Sequence, residues 1–413
     1  MLQDMTPGLE AYISTNQITG YIGFDPTASS LHIGNLATII LLMHLQRSGH
    51  KPIVLVGGAT GMIGDPSGKS AERNLLTEET IRENVKAIQA QLEKFLDFTE
   101  GPASAEVVNN LDWFGNMGTL DFLRNIGKHL TVNYMMAKDS VQKRLETGLS
   151  FTEFSYQLIQ GYDFQWLYQN KQCRLQLGGS DQWGNITAGT ELIRRMGGGE
   201  VFAVTTPLIT KSDGSKFGKS ESGNIWLDPA LTSPYQFYQF FLNQSDEEAP
   251  YLMRRYTFLD QNTITQLEAD HAKDPSARTL QKQLAEQVTT LVHGAVGLKT
   301  AILTTEVLFG KGTLEELSAV SDAQFDAVFE GVPKAVISRA ELKTDWSHVL
   351  SIASGNLIFP SKGEARKGLQ ANSISINKVK VTQSEIGEVE LLRNKYLLVQ
   401  KGKKNYFLLE LAD

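Results

Sequence analysis

The stretch Tyr21-Ile-Gly-Phe-Asp-Pro-Thr-Ala-Ser-Ser-Leu-His-Ile-Gly-Asn35 decides the fold of the N-terminal half of the chain. Its aromatic and β-branched start predicts a strand, and Asp25-Pro26 predicts the turn that ends it. A helix follows, because residues 31–45 are apolar at helical spacing and Ser29 or Ser30 can cap them. A strand, a tight loop and a helix form the first half of a βαβ unit. In such a unit the helix N-terminus directs its amides at a bound phosphate.

The first turn of this helix carries the residue types of a nucleotide site. The chain lacks Gly-x-Gly-x-x-Gly here, but His32 can donate to a phosphate oxygen and Asn35 to a ribose or phosphate oxygen. Gly34 has no Cβ, so an adenine or a ribose can lie flat against the backbone. A capped helix with a surface histidine would show the same four residues, so this short motif predicts no activity by itself.

Composition narrows the class of protein. The 413 residues are 41% hydrophobic, which predicts two or three domains with ample cores. No apolar run is long enough for a membrane span and no secretion signal is visible, so we expect no membrane partner. Cys173 is the single cysteine, which rules out an intramolecular disulfide and a cysteine-based metal cluster. A reduced, cytoplasmic compartment is expected.

Charge is distributed unevenly along the chain. The net charge of −7 argues against non-specific coating of nucleic acid. Residues 361–413, however, contain ten Lys/Arg and six Asp/Glu, a net charge of +4 against −11 for the remainder. A basic tail on an acidic body predicts a polyanionic partner for the tail, although a solvated lysine-rich surface would have the same composition.

The order of the predicted elements indicates three domains. Residues 1–225 alternate strands and helices, which predicts an α/β fold with a Rossmann-like parallel sheet and a helical insertion at about 111–165. Residues 226–331 contain only helical patterns and predict an all-helical domain. The chain near 332–346 is less regular and is interpreted as a linker. From Leu350 onward short segments alternate with turns, and residues 345–413 are predicted to form a third, small domain.

Two segments outside the opening stretch have the chemistry of a substrate site. Lys216-Phe-Gly-Lys-Ser220 places two lysines on a glycine-containing loop, which suits the charge that develops on a leaving pyrophosphate. Tyr156, Gln160 and Asp163 are spaced to share one helix face, and would suit a ligand with an amino group and a hydroxyl. An exposed lysine-rich loop and a solvated polar stripe remain open as alternatives.

Two further segments follow predicted strands. Residues 178–185 read Gly-Gly-Ser-Asp-Gln-Trp-Gly-Asn, so Asp181 and Gln182 would lie where a ribose or an ammonium group binds. Beyond the second strand, Asp65 is followed by two cations, at the crevice side of such a sheet. A structural glycine turn and a surface charge cluster are the competing interpretations.

In this order, the segments together closely resemble the bacterial tyrosyl-tRNA synthetases, a class I family. His32-Ile-Gly-Asn35 is similar to the class I His-Ile-Gly-His motif, with asparagine in place of the second histidine. Lys216–Ser220 is similar to the Lys-Met-Ser-Lys-Ser motif, and the segment from Lys362 to Val381 resembles an S4-type RNA-binding fold. The resemblance covers nearly the whole chain. It implies a Rossmann-like catalytic domain, an anticodon-side helical domain and an S4-like α+β domain.

The resemblance also implies a role for each matching residue. The tyrosine-binding residues would be Tyr21 and Asp163 at the phenol, Asp65, Tyr156 and Gln160 at the α-ammonium group, and Gln182 beside them. The residues that act on the phosphates would be Thr27, His32, Lys69, Arg73, Lys216 and Lys219. The ATP-binding residues would be Gly34, Asn35, Gly179, Asp181 and Lys219. ATP would be a substrate accompanied by Mg²⁺ that no side chain ligates. The implied partners are L-tyrosine, a tRNA and a second copy of the chain joined through the insertion, with no DNA.

The implied function is that of a tyrosine–tRNA ligase, and two alternatives remain open. A tryptophanyl-tRNA synthetase is the first, but Tyr21 with Asp163 favours tyrosine, because a phenol both donates and accepts whereas an indole nitrogen only donates. A non-catalytic RNA-binding paralogue is the second. His32, Lys216 and Lys219 argue against it, since such a protein has no use for them.

Overall fold

The computed structural model divides the chain into two compact units. The first contains Met1–Leu231 and Gln244–Leu284, and the second contains Thr232–Asn243 and Ala285–Asp413. The residues that the structure describes are 2–67, 76–145, 148–210, 217–220, 223–309, 322–329, 332–402 and 405–412. The predicted helical region 226–331 contributes to both units. The three-domain division therefore stays a prediction.

A six-stranded sheet organises the first unit. Its strands are β1 Asp4–Met5, β2 Thr19–Phe24, β3 Lys51–Val56, β4 Glu106–Asn109, β5 Cys173–Gly179 and β6 Phe202–Thr206. The spatial order is β1-β6-β5-β2-β3-β4; β2 to β6 run parallel and β1 pairs antiparallel with β6. The predicted α/β class with a Rossmann-like parallel sheet is confirmed. The antiparallel edge strand was not predicted, because two residues carry no recognisable alternation.

Helices connect these strands, and five of them form the insertion between β4 and β5. The helices that connect the strands or follow the sheet in this unit are α1 Leu9–Ile13, α2 Ile33–Arg47, α3 Glu78–Leu92, α9 Trp183–Arg195, α11 Glu248–Tyr256 and α12 Gln261–Lys273. The insertion consists of α4 Leu111–Phe114, α5 Thr119–Asn125, α6 Val132–Met136, α7 Asp139–Leu145 and α8 Phe151–Lys171. Among the described residues no helix combines the length and apolar character that a bilayer crossing needs.

The start of α2 corrects one detail of the sequence interpretation. The helix is capped by His32 and not by Ser29 or Ser30. The His32 Nδ1 accepts from the Gly34 amide at 3.0 Å, while the Asn35 Oδ1 accepts from the His32 amide at 3.1 Å. Ser30 is buried. Its hydroxyl donates to the Leu31 carbonyl and accepts from a side-chain amide of α3. The tertiary contacts of Ser30 thus remove it as a cap.

Helices α8 and α9 pack backbone to backbone at two glycines. A Cβ placed on Gly161 would already touch the Gly189 backbone at 3.5 Å, and a Cβ on Gly189 would approach Phe164 to 3.1 Å. Larger side chains at these positions would separate the helices. The close approach brings one face of α8 against the N-terminal half of α9.

The second unit contains a five-stranded sheet of spatial order β11-β10-β12-β13-β9. The strands are β9 Lys334–Ser338, β10 Ile374–Ile376, β11 Val379–Lys380, β12 Tyr396–Lys401 and β13 Asn405–Ala412. The helices that contribute to it are α10 Pro234–Leu242, α13 Thr279–Phe309, α14 Asp322–Val328, α15 Trp346–His348 and α16 Lys362–Gln370. Interpreting 332–346 as a linker was wrong, because β9 pairs in parallel with β13. Its alternation was too short to recognise without that partner.

A buried ion pair joins α7 to the start of α8. The Arg144 Nη2 lies 2.8 Å from the Glu153 Oε2, and the two side chains are 5% and 3% exposed. Arg144 also donates to the Gly148 carbonyl at 3.0 Å. Because both charges are removed from water, each depends on the other for compensation.

We expect Arg144→Met to lower the free energy of unfolding by about 3 kcal/mol, because it leaves a buried carboxylate uncompensated. Urea denaturation followed by tryptophan fluorescence measures the loss. Arg144→Met combined with Glu153→Leu is the control and should recover most of the stability. A double variant as unstable as the single one would show that packing, and not charge, is what Arg144 contributes.

Candidate active site

Several of the predicted site residues that the structure describes lie on β2, β3 and β5 or on the segments that follow these strands. Tyr21 lies on β2 and pairs in register with Gln176 of β5, so their side chains are neighbours on one face of the sheet. Tyr21 is 1% exposed and Gln176 is 2% exposed. The Tyr21 hydroxyl and the Gln176 Oε1 have no hydrogen-bond partner among the described residues. Buried polar atoms without a partner are costly, so two on one face indicate a place where a polar ligand binds.

Asp163 faces the same region from α8. Its Oδ1 accepts from the Trp113 Nε1 at 2.9 Å and its Oδ2 accepts from the Asn110 Nδ2 at 3.1 Å. Burial raises the pKa of Asp163 well above its usual range, although these two hydrogen bonds oppose the shift. Burial also raises the pKa of Tyr21, and the nearby charge of Asp163 adds to that rise. The structure therefore brings the predicted phenol-binding pair together.

A chain of hydrogen bonds continues from Asp163 across the site. The Asn110 Nδ2 also donates to the Thr60 Oγ1 at 3.0 Å, and Thr60 donates to the Asp25 Oδ1 at 2.6 Å. The Tyr156 hydroxyl donates to the Asp25 Oδ2 at 2.7 Å. Burial raises the pKa of Tyr156 well above its usual range, and the nearby charge of Asp25 adds to that rise. Tyr156 is thus a neutral donor fixed by a carboxylate that the sequence analysis had treated only as part of a turn.

A second polar cluster surrounds Asp65. The Gln182 Nε2 donates to the Asp65 Oδ2 at 2.7 Å. The Asn185 Nδ2 lies within hydrogen-bond distance of the Gln160 Oε1, the Gln182 Oε1 and the Ser67 Oγ, at 3.1, 3.3 and 3.2 Å. The predicted residues Asp65, Gln160 and Gln182 are therefore joined through Asn185, which is 2% exposed.

Three of the residues predicted to bind the nucleotide lie at the start of α2. Because the His32 Nδ1 accepts the Gly34 amide proton, a neutral ring carries its proton on Nε2, so Nε2 is the ring nitrogen that can donate. The Asn35 Oδ1 accepts within the cap, so the donor of the Asn35 side chain is its Nδ2. A Cβ on Gly34 would approach the His32 ring to 2.8 Å, so glycine is needed for this cap.

The segment after the lysine motif packs on that helix start. The Ile33 amide donates to the Ile225 carbonyl at 3.0 Å, and the Leu227 amide donates to the Leu31 carbonyl at 2.8 Å. Gly218 has φ +95°, and a Cβ there would meet Ile33 at 3.0 Å. The hairpin of β7 Lys219–Ser220 and β8 Gly223–Asn224 is thereby anchored beside the His32 turn.

Gly179 and Asp181 lie together at the end of β5. A Cβ on Gly179 would come within 2.8 Å of the Asp181 Oδ1 and 3.3 Å of the Leu208 side chain. Leu208 is 47% exposed. Thr27 is exposed, and its amide donates to the Asp25 carbonyl at 2.8 Å.

The structure describes only part of the predicted cationic set. Lys69, Arg73 and Lys216 lie outside the described residues. Lys219 contributes its backbone to β7. Within the described ranges no group of three His, Cys, Asp or Glu residues is arranged to hold a metal ion.

Sequence reasoning missed most of the supporting polar residues. These are Asp25, Thr60, Asn110, Trp113, Gln176 and Asn185. Gln176 had a recognisable signal, since it interrupts an apolar strand between two leucines. Asn110 also had a recognisable signal, because it directly follows strand β4. Thr60 had none, because a threonine in a glycine-rich turn is ordinary.

Comparison with known families identifies the class of protein to which the chain belongs. The family model of class I tRNA synthetases (W and Y) matches residues 14–310, and the model of the tyrosine–tRNA ligase SYY-like C-terminal domain matches residues 324–409. The fold is thus that of a class I tRNA synthetase of the tryptophan and tyrosine group.

Individual relatives show which family within this class the chain belongs to. The chain is 60% identical to the tyrosine–tRNA ligase of Cytophaga hutchinsonii, over 99% of this chain and 96% of the relative. It is 56% identical to that of Porphyromonas gingivalis, over 99% and 97% of the two chains. The solved structure of a C-terminally truncated mitochondrial tyrosyl-tRNA synthetase from Aspergillus nidulans matches with TM-score 0.64 and 29% identity, covering 71% of this chain and 86% of that one. The chain belongs to the tyrosine–tRNA ligase family.

Proposed function

We propose that the chain activates L-tyrosine with ATP and transfers the tyrosyl group to the 3′-terminal ribose of its tRNA. The observation that carries this proposal is the buried Tyr21 hydroxyl, which has no partner among the described residues and lies in the field of Asp163. A substrate phenol would accept from Tyr21 and donate to Asp163, so the site would be satisfied only when a hydroxyl is present. An indole nitrogen only donates, so tryptophan would leave the Tyr21 hydroxyl without an acceptor.

The other end of the amino acid would be held by the polar residues of α8 and its surroundings. Asp65, Tyr156 and Gln160 would receive the α-ammonium group, with Gln182 beside them. Asp25 supports this role, because its carboxylate accepts from Tyr156 at 2.7 Å and adds negative charge to that end. Two carboxylates and an amide oxygen suit an ammonium group, which has only donors.

ATP would bind across the start of α2 and the end of β5. Gly34, Asn35, Gly179 and Asp181 would contact the adenosine, while Thr27 and His32 would meet the phosphates. Lys69, Arg73, Lys216 and Lys219 would add positive charge at the pyrophosphate, an assignment that rests on the sequence motifs. Mg²⁺ would arrive bound to ATP, where it neutralises phosphate charge.

The reaction needs no nucleophile from the protein. In the first step a tyrosine carboxylate oxygen attacks the α-phosphorus, the bond to the bridging oxygen breaks, and pyrophosphate leaves with its electron pair. In the second step a ribose hydroxyl of the tRNA attacks the tyrosyl carbonyl carbon and AMP leaves. The protein contributes positioning and stabilisation of the developing charge.

Substrate choice is tested by ATP–pyrophosphate exchange. We expect L-tyrosine to drive the exchange and L-tryptophan to leave it at background, because only a phenol satisfies both Tyr21 and Asp163. Exchange with tryptophan would favour the tryptophanyl alternative. A purified, folded protein that is inert with both amino acids would favour the RNA-binding paralogue.

A homodimer through the insertion is supported by exposed apolar side chains. Large apolar residues are exposed at Leu120 (81%), Leu123 (48%), Val132 (63%) and Phe151 (77%), all within α5, α6 and the first residue of α8. Single exposed apolar residues are normal, but several in one insertion indicate an interface. The partner proposed for them is a second copy of this chain.

We expect Phe151→Glu to shift the protein from dimer to monomer in sedimentation equilibrium, because a charge would be buried in the apolar interface. Glutamate suits the first turn of a helix, so α8 should stay folded. Val296→Glu is the matched control, since Val296 is 81% exposed on a helix outside the insertion. Equal effects of the two changes would contradict the proposed interface.

The C-terminal α+β region is proposed to be an S4-like domain that binds the tRNA. Helix α16 buries Ala365 and Leu369 and exposes Arg366 and Lys367. The surrounding residues 361–413 carry the excess of positive charge. Phosphate contacts by lysine and arginine supply most of the non-specific affinity for nucleic acid.

Reversing two charges on α16 tests this division of labour. Arg366→Glu with Lys367→Glu should raise the KM for tRNA roughly tenfold and leave the tyrosine-dependent exchange unchanged. Glu364→Lys, on the same exposed helix, is the control and should not weaken charging. An equal loss of both activities in the double variant would refute a separate tRNA-binding role.

A further inference from the structure

We propose that Thr60 is a positioning residue whose single hydroxyl couples the two ends of the tyrosine pocket. The proposal rests on the proposed function, since it assigns Asp163 to the phenol and Asp25 with Tyr156 to the ammonium end. Thr60 is 2% exposed and lies in the turn after β3. No sequence motif singles it out.

The direction of every hydrogen bond at Thr60 follows from a neighbouring backbone amide. The Ala59 amide donates to the Asn110 Oδ1 at 2.7 Å, so the carbonyl of that side chain must face Ala59. The Asn110 Nδ2 therefore faces the Thr60 Oγ1 at 3.0 Å and the Asp163 Oδ2 at 3.1 Å. Both amide protons are then used, and the reversed amide is excluded, because it would direct NH2 at an N–H donor.

Only one acceptor then remains for the proton of the Thr60 hydroxyl in this network. Since it accepts from Asn110, its own proton goes to the Asp25 Oδ1 at 2.6 Å. The second oxygen of Asp25 accepts from Tyr156 at 2.7 Å. Thr60 thus accepts a hydrogen bond from the phenol side and donates one to the ammonium side.

The backbone around Thr60 is shaped for this contact. A Cβ on Gly57 would overlap both the Thr60 Oγ1 and the Asp25 Oδ1. A glycine at position 57 therefore lets the turn after β3 approach the turn after β2. This close approach indicates that the fold positions the Thr60 hydroxyl, and does not merely tolerate it.

Removing the hydroxyl should weaken both ends of the pocket. Without it, one Asn110 proton has no acceptor, so the amide is no longer held toward Asp163. Asp25 also loses the hydroxyl that donates to its Oδ1, which weakens the positioning of the carboxylate against Tyr156. A residue that only filled space would affect folding and leave ligand affinities unchanged.

The test compares Thr60→Val, which keeps the shape and removes the hydroxyl, with Thr60→Ser, which keeps the hydroxyl. Equilibrium dialysis with labelled L-tyrosine gives the Kd, and we expect a rise of roughly tenfold for Thr60→Val and near-wild-type affinity for Thr60→Ser. Thr60→Ala serves as a second hydroxyl-free variant if the valine variant does not fold.

Two competing ligands separate the ends of the pocket. L-Phenylalanine has the ammonium group without the phenol, and 3-(4-hydroxyphenyl)propionate has the phenol without the ammonium group. Coupling through Thr60 predicts that Thr60→Val weakens both competitors. A loss confined to one of them, or a serine variant that behaves like valine, would overturn the proposal.

Thr304→Val is the matched control. Thr304 is a fully buried threonine of the second unit, and its hydroxyl donates to the Thr300 carbonyl at 2.8 Å. The change should lower stability without altering the Kd for tyrosine. Wild-type protein that binds no tyrosine would refute the proposed function itself. Wild-type and Thr60→Val proteins that bind tyrosine equally would refute only the role of Thr60.

Discussion

The candidate site depends on the close approach of α8 and α9 at Gly161 and Gly189. A Cβ at position 161 would lie 3.5 Å from the opposing backbone, which is already van der Waals contact, so a side chain longer than a methyl group would press against α9. This contact sets the distance at which Asn185 of α9 meets Gln160 of α8. If the helices moved apart by the width of one methyl group, that 3.1 Å hydrogen bond would break.

Nearly every polar group in the described part of the pocket is satisfied by another protein group. Asp163 accepts from Trp113 and Asn110, and Asp25 accepts from Thr60 and Tyr156. Such a network is rigid, because each donor has one direction in which it can point. The exceptions are the Tyr21 hydroxyl and the Gln176 Oε1. Each unpaired buried group costs about 1–3 kcal/mol, and a ligand oxygen that accepts from Tyr21 would remove this cost at the Tyr21 hydroxyl.

The start of α2 combines two functions in a few residues. His32 is both the N-cap of the helix and a residue of the class I motif, and the cap fixes which ring nitrogen carries the proton. Asn35 closes the capping box with its carbonyl oxygen. The asparagine at this position, where the class motif has histidine, therefore has a local role, because its side-chain oxygen closes the cap of the helix.

The sequence by itself determined the α/β class, the helical insertion, and the order of the nucleotide and amino-acid motifs. These follow from local periodicity, glycine positions and motif spacing, which are properties of neighbouring residues. The pairing of Tyr21 with Asp163 was expected only from the resemblance to the tyrosyl-tRNA synthetases. Only the tertiary structure identified Thr60, Asn110 and Asn185 as the link between the motifs, and β9 as a sheet strand. Hydrogen bonds between distant turns and the pairing of a short strand leave no local pattern, because they are set by how β2, β3, β5 and α8 pack together.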